Sequence, residues 1–331
     1  MINIDGSYGE GGGQIVRSAV ALSAVTGEEV HVENIRMGRR DPGLRLQHVE
    51  AIRATALLCD ADVTGLSRGS TAITFSPLEI RGGSCHIDIG TAGSIALLLQ
   101  CIMPASAFAK KRTELTIIGG TDVRWAPSVD YLKNVTVRAL AQMGYDCVIQ
   151  IRQRGYYPKG GGRVVAQITP SRLRSFDLTP QDCRVWGISH CSGLPEHVAR
   201  RQADAAGELL QEAGYPCNIE IAHSDDVSIG SGITLSCGLK GSCAPGKRGL
   251  PAENIGRNAA HHLIEELSSN TAVDIHLADQ LIPYMGLAEG SSFTACTITE
   301  HTRTNIWVTE QFLGVKFNIE KEKGMVRISV P

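Results

Sequence analysis

The sequence predicts an α+β fold (α/β repeats) of about three βαβαββ units packed together, with a smaller α/β domain inserted before the last unit. Short β-branched runs alternate with amphipathic helical stretches, and the order of these elements repeats over roughly 80 residues. After Pro170 that order changes. Because each unit alone would expose one apolar sheet face, we expect the units to pack together through their helices.

The first predicted unit contains a glycine cluster directly before its first helix. The cluster is Gly9-Glu10-Gly11-Gly12-Gly13. The unit consists of a strand, a helix, a strand, a helix and two further strands, at residues 2–5, 13–25, 29–35, 45–58, 72–75 and 85–89. Glycines at such a place let the chain turn tightly and let backbone N–H groups approach a ligand.

The second predicted unit also begins its first helix after a glycine-containing turn. This turn is Gly90-Thr91-Ala92-Gly93. The helix, strand, helix and two strands that follow are predicted at residues 94–108, 114–118, 129–143, 147–152 and 163–168. The common order of elements in the two units predicts an internal repeat.

The change after Pro170 predicts an insertion, with a polar linker at 171–181. A strand, a helix, two strands, a loop rich in Gly, Cys and Pro, and a helix are expected at residues 184–188, 196–213, 218–223, 232–236, 238–249 and 252–268. The third unit should resume near Ala272, with a helix, a strand, a helix and a hairpin at residues 279–287, 292–298, 304–312 and 315–330. We therefore predict a discontinuous repeat domain at 1–177 and 272–331 and an inserted domain at 178–271.

Composition and charge exclude several classes of protein. The chain has 331 residues, and 32 Lys+Arg against 34 Asp+Glu give a net charge of −2, which excludes a globally basic coat for nucleic acid. The longest apolar stretch, 95–109, is shorter than the ~20 residues of a membrane span and contains Gln100 and Pro104. Since the N-terminus does not resemble a signal peptide, we expect a cytoplasmic protein that does not enter a membrane. None of the 10 cysteines forms a CxxC pair, which disfavours a zinc ribbon or a redox site.

The glycine cluster indicates an anion site, because N–H groups at a helix N-terminus attract phosphate. No Gly-Lys-Ser/Thr follows it, so it is not a P-loop, and the Rossmann pattern fits poorly. Glu10 is unexpected there, since a carboxylate repels phosphate unless a divalent cation lies between them. From these residues alone, Glu10 is either a metal ligand or a capping carboxylate in a tight turn.

A second candidate phosphate site is the loop between the second strand and the second helix of the first unit. It contains four arginines, Arg36, Arg39, Arg40 and Arg45. Guanidinium groups bind phosphate oxygens through two hydrogen bonds and stay charged at any relevant pH. A run of charge is usually only a solvated loop, but the glycine cluster in the same unit favours an anion site here.

His301 lies between the end of a predicted strand and the start of the last predicted helix. The positive end of a helix lowers the pKa of an imidazole, which favours the neutral nucleophile and a phosphate beside it. A lone histidine is more often structural, so both interpretations stay open at this point.

Three further segments carry polar groups at predicted turns. Residues 119–127 and 276–280 each end a strand or open a helix, and their side chains suit a nucleoside. Residues 155–162 should form a hairpin turn with aromatic and basic groups, which is structural in the first interpretation and an RNA contact in the second. Together these features indicate an enzyme that handles phosphate groups.

These motifs, in this order from the N-terminus to the last helix, strongly resemble those of the RNA 3′-terminal phosphate cyclases. The residues that carry the resemblance are Gly9-Glu10-Gly11-Gly12-Gly13-Gln14-Ile15-Val16-Arg17, Arg36-x-Gly38-Arg39, Pro42-Gly43-Leu44, Gln47-His48, Gly119-Gly120-Thr121-Asp122, Leu277-Ala278-Asp279-Gln280 and Glu300-His301. That family is similar in fold to the enolpyruvyl transferases and carries a smaller inserted α/β domain, which agrees with the predicted repeats.

The resemblance implies a three-step reaction on an RNA that ends in a 3′-phosphate. His301 would attack the α-phosphorus of ATP, forming a histidine–AMP bond and releasing pyrophosphate. AMP would then pass to the RNA 3′-phosphate, and the adjacent 2′-OH would close a 2′,3′-cyclic phosphate while AMP leaves. The resemblance also implies a divalent cation, Mg or Mn, held by Glu10.

Further binding residues are implied by the same resemblance. The triphosphate or the RNA phosphate would be held by Arg17, Arg36, Arg39 and Gln47. The nucleotide would be bound by Gln100, Leu277, Ala278, Asp279 and Gln280. Pro127 and His276 would flank adenine, although many relatives carry a tyrosine at position 276, and the histidine makes adenine stacking a weaker expectation.

Two rival functions follow from the same sequence. One is a non-catalytic relative that binds ribosomal RNA as a ribosome-assembly factor, but such proteins lack the nucleophilic histidine that this chain has as His301. The other is an enolpyruvyl transferase, a family in which six repeat units are expected and not about three. The sequence leaves homo-oligomerisation open.

Overall fold

The first repeat unit of the computed structural model is a four-stranded sheet with two helices. The structure describes residues 1–181, 184–322 and 324–331, so the predicted turn at 321–324 lies partly outside the described residues. The elements of the unit are β1 Ile2–Asp5, α1 Gly13–Thr26, β2 Val30–Glu33, α2 Leu46–Cys59, β3 Asp62–Thr64 and β4 Ile73–Ser76. The strand order is β1-β2-β4-β3, in which β1 and β2 are parallel and the other pairs are antiparallel. In β2, the buried Val30 and Val32 alternate with less buried neighbours, as expected for a strand with one face on the core.

The second unit has the same topology. It consists of β5 Gly83–Asp88, α3 Ile95–Ser106, β6 Thr113–Gly119, α4 Val129–Tyr131, a π-helical turn Leu132–Thr136, α5 Val137–Gln142, β7 Asp146–Gln153 and β8 Gly162–Thr169. The strand order is β5-β6-β8-β7, and β5 and β6 are parallel.

The predicted division between these two units was wrong. The strand predicted at 85–89 belongs to the second unit, because β5 pairs with β6 and not with β4. The fourth strand of the first unit is β3, which the sequence analysis missed. Its three residues show little alternation of buried and exposed side chains at the sheet edge, so no periodic signal marks it.

The insertion forms its own sheet with two helices. Its elements are β9 Val185–Ser192, α6 His197–Glu212, β10 Cys217–Ser224, β11 Gly230–Cys237, β12 Lys240–Pro245 and α7 Ala252–Leu267. The strand order is β10-β9-β11-β12, and a separate hydrophobic cluster includes Val185, Leu210, Leu235 and Leu263. The sequence analysis expected a loop at β12, whose Gly, Ser and Pro residues have low strand propensity, but antiparallel pairing with β11 makes it a strand.

The third unit consists of α8 Ile275–Gly286, β13 Ser292–Ala295, α9 Glu300–Leu313, β14 Asn318–Glu322 and β15 Met325–Ser329, in the strand order β13-β15-β14. The segment of the chain just before the insertion takes the place of the first strand of this unit. The Leu178 N–H donates to the Ser292 carbonyl at 3.0 Å, and the Ser292 N–H donates to the Phe176 carbonyl at 2.8 Å. The insertion thus enters between the first strand and the first helix of this unit, while the domain limits at 177/178 and 271/272 stay a prediction.

One hydrophobic core joins the three units through their helices, as predicted. Helix α1 contacts α2, α3 and α9, and α8 contacts α9. Leu22 of α1, Leu99 of α3, Leu281 of α8 and Val308 of α9 are completely buried. Each such side chain contributes about 2 kcal/mol of hydrophobic free energy, so the helix layer holds the units together. In the described part of the chain, no helix is both long and apolar enough to cross a membrane.

Candidate active site

The glycine cluster forms the turn between β1 and α1. Gly9 and Gly11 have φ angles of 56° and 57°, in the left-handed region where any side chain would be strained. Gly12 is the N-cap residue of α1, and no side chain caps this helix. The N–H groups of the first turn of α1 are therefore available to an anion.

His48 of α2 packs against the first residue of α1. A Cβ atom at Gly13 would overlap His48 Nε2, so the close approach of the two elements requires glycine. His48 Nδ1 accepts the Arg45 N–H at 3.1 Å. Burial, with the positive charges of Arg17 and Arg36 as smaller causes, lowers the pKa of His48 to about 3. His48 is thus a neutral side chain that positions the glycine turn.

His301 lies in the first turn of α9, which begins at Glu300 and not at the predicted residue 304. Thr299 caps this helix, and its Oγ1 accepts the Thr302 N–H at 3.1 Å. Burial is the largest cause that lowers the pKa of His301; the neighbouring Glu10 carboxylate opposes the shift, and the positive charge of Arg17 supports it. The pKa is shifted in the predicted direction, but its largest cause is burial and not the predicted helix terminus.

Glu10, Arg39 and His301 converge at the open start of α1. Glu10 Oε2 lies 3.0 Å from His301 Nε2 and 3.3 Å from Arg39 Nη2. Gln14 Nε2 donates to the His301 carbonyl oxygen at 3.1 Å, which ties α1 to α9. The three side chains are half-exposed, so a ligand can reach them.

The remaining arginines of the loop after β2 have different surroundings. Arg36 Nη1 donates to the carbonyl oxygens of Asp41 at 2.9 Å and Gly43 at 2.7 Å, so this guanidinium holds its own loop together. Arg45 forms an ion pair with Asp41. Arg40 is exposed and has no ion-pair partner among the described residues. Of the predicted phosphate-binding residues in this loop, the structure therefore brings Arg39 to His301.

Gln47 and Gln280 also make hydrogen bonds within the protein. Gln47 Oε1 accepts the Ser94 N–H at 3.0 Å, at the start of α3. Gln280 Oε1 accepts the Thr136 hydroxyl at 2.8 Å, and its Nε2 donates to the His276 carbonyl at 2.8 Å. Both amides hold neighbouring segments in place, in addition to any contact with a ligand.

A cleft of about 480 Å³, open to solvent, lies between α1, α3, α8 and α9. Four of the predicted binding residues line it: Arg17, Gln100, Asp279 and Gln280. The cleft therefore brings together predicted binding residues from three segments that are far apart in the sequence.

A carboxyl group and a guanidinium group, those of Asp279 and Arg17, line this cleft. Burial raises the pKa of Asp279 to about 7, although the nearby Arg17 guanidinium opposes this shift. Burial also lowers the pKa of Arg17. Asn305 Nδ2 donates to the Asp279 carbonyl at 2.9 Å and links α9 to α8. A carboxyl group that titrates near neutrality in a cleft is typical of functional sites.

The segments of Pro127 and His276, predicted to flank adenine, are linked by a buried hydrogen bond. Tyr131 of α4 donates its hydroxyl to Asp274, with distances of 2.7 and 2.8 Å to the two carboxylate oxygens. Asp274 also caps α8 by accepting the N–H groups of the next residues of the chain. Pro127 is partly exposed and His276 is exposed, whereas Leu277 and Ala278 are buried.

The sequence analysis missed a buried ion-pair cluster below this site. Arg154 Nη1 lies 2.7 Å from Asp130 Oδ2 and 3.3 Å from Asp122 Oδ2. His190 Nε2 lies 3.2 Å from Asp122 Oδ1, and the Tyr156 hydroxyl lies 2.7 Å from His190 Nδ1. Asp122, Asp130 and His190 are close enough together to hold a metal ion, but the Arg154 guanidinium already supplies the positive charge. The cluster fixes β9 of the insertion to the second unit, and no spacing in the sequence signals such distant partners.

A repeated α+β fold, with a histidine and an arginine at an open helix start beside a cleft, defines an enzyme that handles phosphate groups. The chain belongs to the RNA 3′-terminal phosphate cyclase family, because the family described as RNA 3′-terminal phosphate cyclase matches residues 8–319. It is therefore classed as an enzyme.

The similarity extends over whole chains. The chain is 62% identical to the RNA 3′-terminal phosphate cyclase of Methanococcoides burtonii over 330 residues, which cover 100% of both chains. It is 58% identical to the protein of that name from Methanosarcina barkeri, again over 100% of both chains. With the protein of that name from Archaeoglobus fulgidus, the identity is 47% over 99% of this chain and 100% of the relative.

Among solved structures, an EPSP synthase from Acinetobacter baumannii matches 96% of this chain and 62% of its own, with 12% identity and a TM-score of 0.29. A likeness this weak carries no argument about the expected similarity to enolpyruvyl transferases. The α+β repeat fold rests instead on the strand orders of the three units.

Proposed function

We propose that the chain uses ATP to convert the 3′-terminal phosphate of an RNA into a 2′,3′-cyclic phosphodiester, through a covalent His301–AMP intermediate. The observation that carries this proposal is the meeting of His301, Glu10 and Arg39 at the uncapped start of α1. The family name supports ATP and RNA as the substrates.

The first step is the attack of His301 on ATP. Burial lowers the pKa of His301, so the imidazole is neutral and has a lone pair at neutral pH. The ring nitrogen forms a bond to the α-phosphorus, the bond from that phosphorus to the β-phosphate oxygen breaks, and pyrophosphate leaves. The ring then loses its extra proton to water, which leaves the histidine–AMP adduct.

The second and third steps take place at the RNA end. An oxygen of the RNA 3′-phosphate attacks the same α-phosphorus, the P–N bond breaks, and His301 is released. The 2′-hydroxyl then attacks the 3′-phosphorus and loses its proton, while the bond to AMP breaks. Arg39 and Arg17 would stabilise the negative charge that develops on phosphorus in these steps.

The residues present fit a divalent cation at Glu10. Its Oε2 atom contacts His301 and Arg39, whereas Oε1 has no hydrogen bond among the described residues. One carboxylate together with substrate phosphates is a usual setting for Mg²⁺. Glu10 would hold the cation, which when bound neutralises charge on the triphosphate.

Incubation with α-labelled ATP tests the proposal directly. Wild-type protein should acquire a label that acid removes and base does not, as expected for a P–N bond, and His301→Ala should acquire none. His197→Ala is the matched control, because His197 is an exposed histidine in the first turn of α6. Retained labelling in His301→Ala, or an acid-stable adduct, would contradict the assignment of the nucleophile.

A cation titration tests the role of Glu10. Glu10→Ala should raise the cation concentration needed for half-maximal labelling by about tenfold or more, because an anionic ligand is lost. The free energy of unfolding should change by only about 0.5 kcal/mol, since the side chain is half-exposed. An unchanged cation requirement would mean that Glu10 is only a turn residue.

A further inference from the structure

Two exposed aromatic side chains stand out on the face of the second unit. Trp125 is 96% exposed and Tyr157 is 78% exposed. Exposed side chains of this size are unfavourable in water, and when they occur together they mark an interaction site. A Cβ atom at Gly161, in the turn of Tyr157, would lie 3.8 Å from the exposed Val227, on the loop before β11 of the insertion.

The loops that carry these side chains are held rigidly. Asp122 and Tyr156 pair as a parallel β-bridge, which joins the loop of Trp125 to the turn of Tyr157. The Tyr156 N–H donates to Ser228 Oγ at 2.9 Å, and that hydroxyl donates back to the Tyr156 carbonyl at 2.9 Å. The buried Arg154 cluster lies directly beneath. The rings are therefore exposed on a fixed base, which is the arrangement that a stacking surface needs.

Trp125 itself has an unusual backbone. Its φ angle is 65°, in the left-handed region that a bulky residue rarely adopts. Such a conformation persists where the surrounding structure enforces it, and it is commonest at binding and catalytic sites.

A continuous set of contacts joins this surface to His301. A Cβ atom at Gly160, in the turn of Tyr157, would lie 2.7 Å from the Thr91 carbonyl oxygen. Thr91 lies in the turn 90–93, and a Cβ atom at Gly93 of that turn would lie 3.0 Å from Gln47 Cβ. The neighbour of Gln47 in the chain is His48, which packs against Gly13 at the start of α1. The turn of Tyr157 is thus connected, through packed segments, to the start of α1, where Glu10 contacts His301.

The charge next to the aromatic side chains is positive. Arg124 precedes Trp125 in the chain, Lys159 lies in the same turn as Tyr157, and both are exposed. Neither has an ion-pair partner in the part of the chain that the structure describes. Asp225 is an exposed acid on the neighbouring loop of the insertion. In a chain whose net charge is −2, two unpaired cations beside two exposed rings favour an anionic, base-containing ligand over an apolar protein surface.

We propose that Trp125 and Tyr157 stack on the bases of the single-stranded RNA segment that leads to the 3′-phosphate at His301. Arg124 and Lys159 bind the phosphates of that segment. This inference rests on the proposed function and narrows its substrate to RNA with an unpaired 3′ end. Because every base can stack on an aromatic ring, the surface distinguishes single-stranded from paired RNA and longer from shorter segments, but not one base sequence from another.

Equilibrium binding of RNAs that end in a 3′-phosphate tests this inference. Trp125→Ala and Tyr157→Ala should each weaken binding of a ten-nucleotide RNA by about tenfold, and leave binding of a dinucleotide unchanged. Trp125→Phe and Tyr157→Phe should keep most of the affinity, because stacking needs a ring and not its polar atom. Trp186→Ala is the matched control, because Trp186 is also exposed, at 56%. It lies near the start of β9, whereas the other end of that strand, at Ser192, pairs with Gly230 beside the aromatic surface.

Self-labelling with ATP separates this inference from the proposed function. Tyr157→Ala should acquire AMP like wild type, because Tyr157 lies outside the segment 119–127 whose side chains suit a nucleoside. If Trp125→Ala raises the ATP concentration needed for labelling, its ring contacts the nucleotide and the inference is overturned. Unchanged affinity for the ten-nucleotide RNA, or an equal loss for the dinucleotide, overturns it as well. Binding can be measured even if no label forms, so a failure of the proposed function would be seen separately.

Discussion

The first two repeat units share one topology but differ at the start of their first helix. At α1, Gly12 offers no side-chain cap. At α3, Ser94 Oγ accepts the Leu97 N–H at 3.2 Å, and Gln47 Oε1 accepts the Ser94 N–H at 3.0 Å. Because the first N–H groups of a helix have no partner within it, they need one from outside. In the second unit a side chain of the protein supplies such a partner, whereas in the first unit no side chain caps the helix.

This difference separates the scaffold from the site. The repeats place α1 and α3 side by side, and both line the same cleft through Arg17 and Gln100. The proposed chemistry lies where one copy differs from the other, at the start of α1, where Glu10 contacts His301. Substitutions in the first unit should therefore affect AMP labelling most, and a substitution at the capped helix start of the second unit should affect it least.

The largest effect is expected from Gly13→Ala. The added Cβ would overlap His48 Nε2 and displace the start of α1 from His301. A displacement of about 1 Å in a catalytic arrangement can cost about 100-fold in rate, so labelling with ATP should slow by that order. The rate of AMP incorporation is the measurement.

The double variant Gly13→Ala/His48→Ala is the control for this steric explanation. Removing the imidazole makes room for the new methyl group, so part of the lost rate should return. Labelling at the wild-type rate in Gly13→Ala would show that the position of the helix start does not matter.

A smaller effect is expected from Asp279→Asn, opposite Arg17 of α1. The pKa of Asp279 is about 7 in the fold, against an ordinary value of 3.8, so between these values the folded chain binds more protons than the unfolded chain. The free energy of unfolding of wild type should therefore fall as the pH rises through this range, by at most about 4 kcal/mol. Asp279→Asn should flatten that fall. Urea denaturation at pH 5 and pH 8 measures both slopes, and parallel slopes would show that Asp279 titrates normally.

The smallest effect is expected from Ser94→Ala in the second unit. Loss of an N-cap costs about 1 kcal/mol of stability. Because side chains of the protein already accept the N–H groups at the start of α3, we expect no ligand there, and AMP labelling should keep the wild-type rate. Urea denaturation measures the stability, and a loss of labelling in folded Ser94→Ala would mean that this helix start also serves a ligand.

Elements with a strong local pattern could be predicted from the sequence, and weak ones could not. The alternation in β2 and the apolar face of α1 predicted those elements close to their observed limits. β3 and β12 were missed, since three edge residues and a Gly-Ser-Pro composition leave no local signal. β5 was predicted as a strand but placed in the wrong unit, because pairing with β6 is a long-range choice that spacing along the chain does not reveal.

The same distinction holds for the candidate site. The sequence alone determined that a glycine turn, an arginine loop and a histidine at a helix start exist, because each depends on neighbouring residues. Only the tertiary structure decided that Glu10 Oε2 contacts both His301 and Arg39, that Arg36 holds its own loop, and that Arg154 joins the carboxylates of Asp122 and Asp130. Apart from those of Arg36, these contacts join residues far apart in the chain, and their formation depends on how helices and sheets pack, which no local pattern encodes.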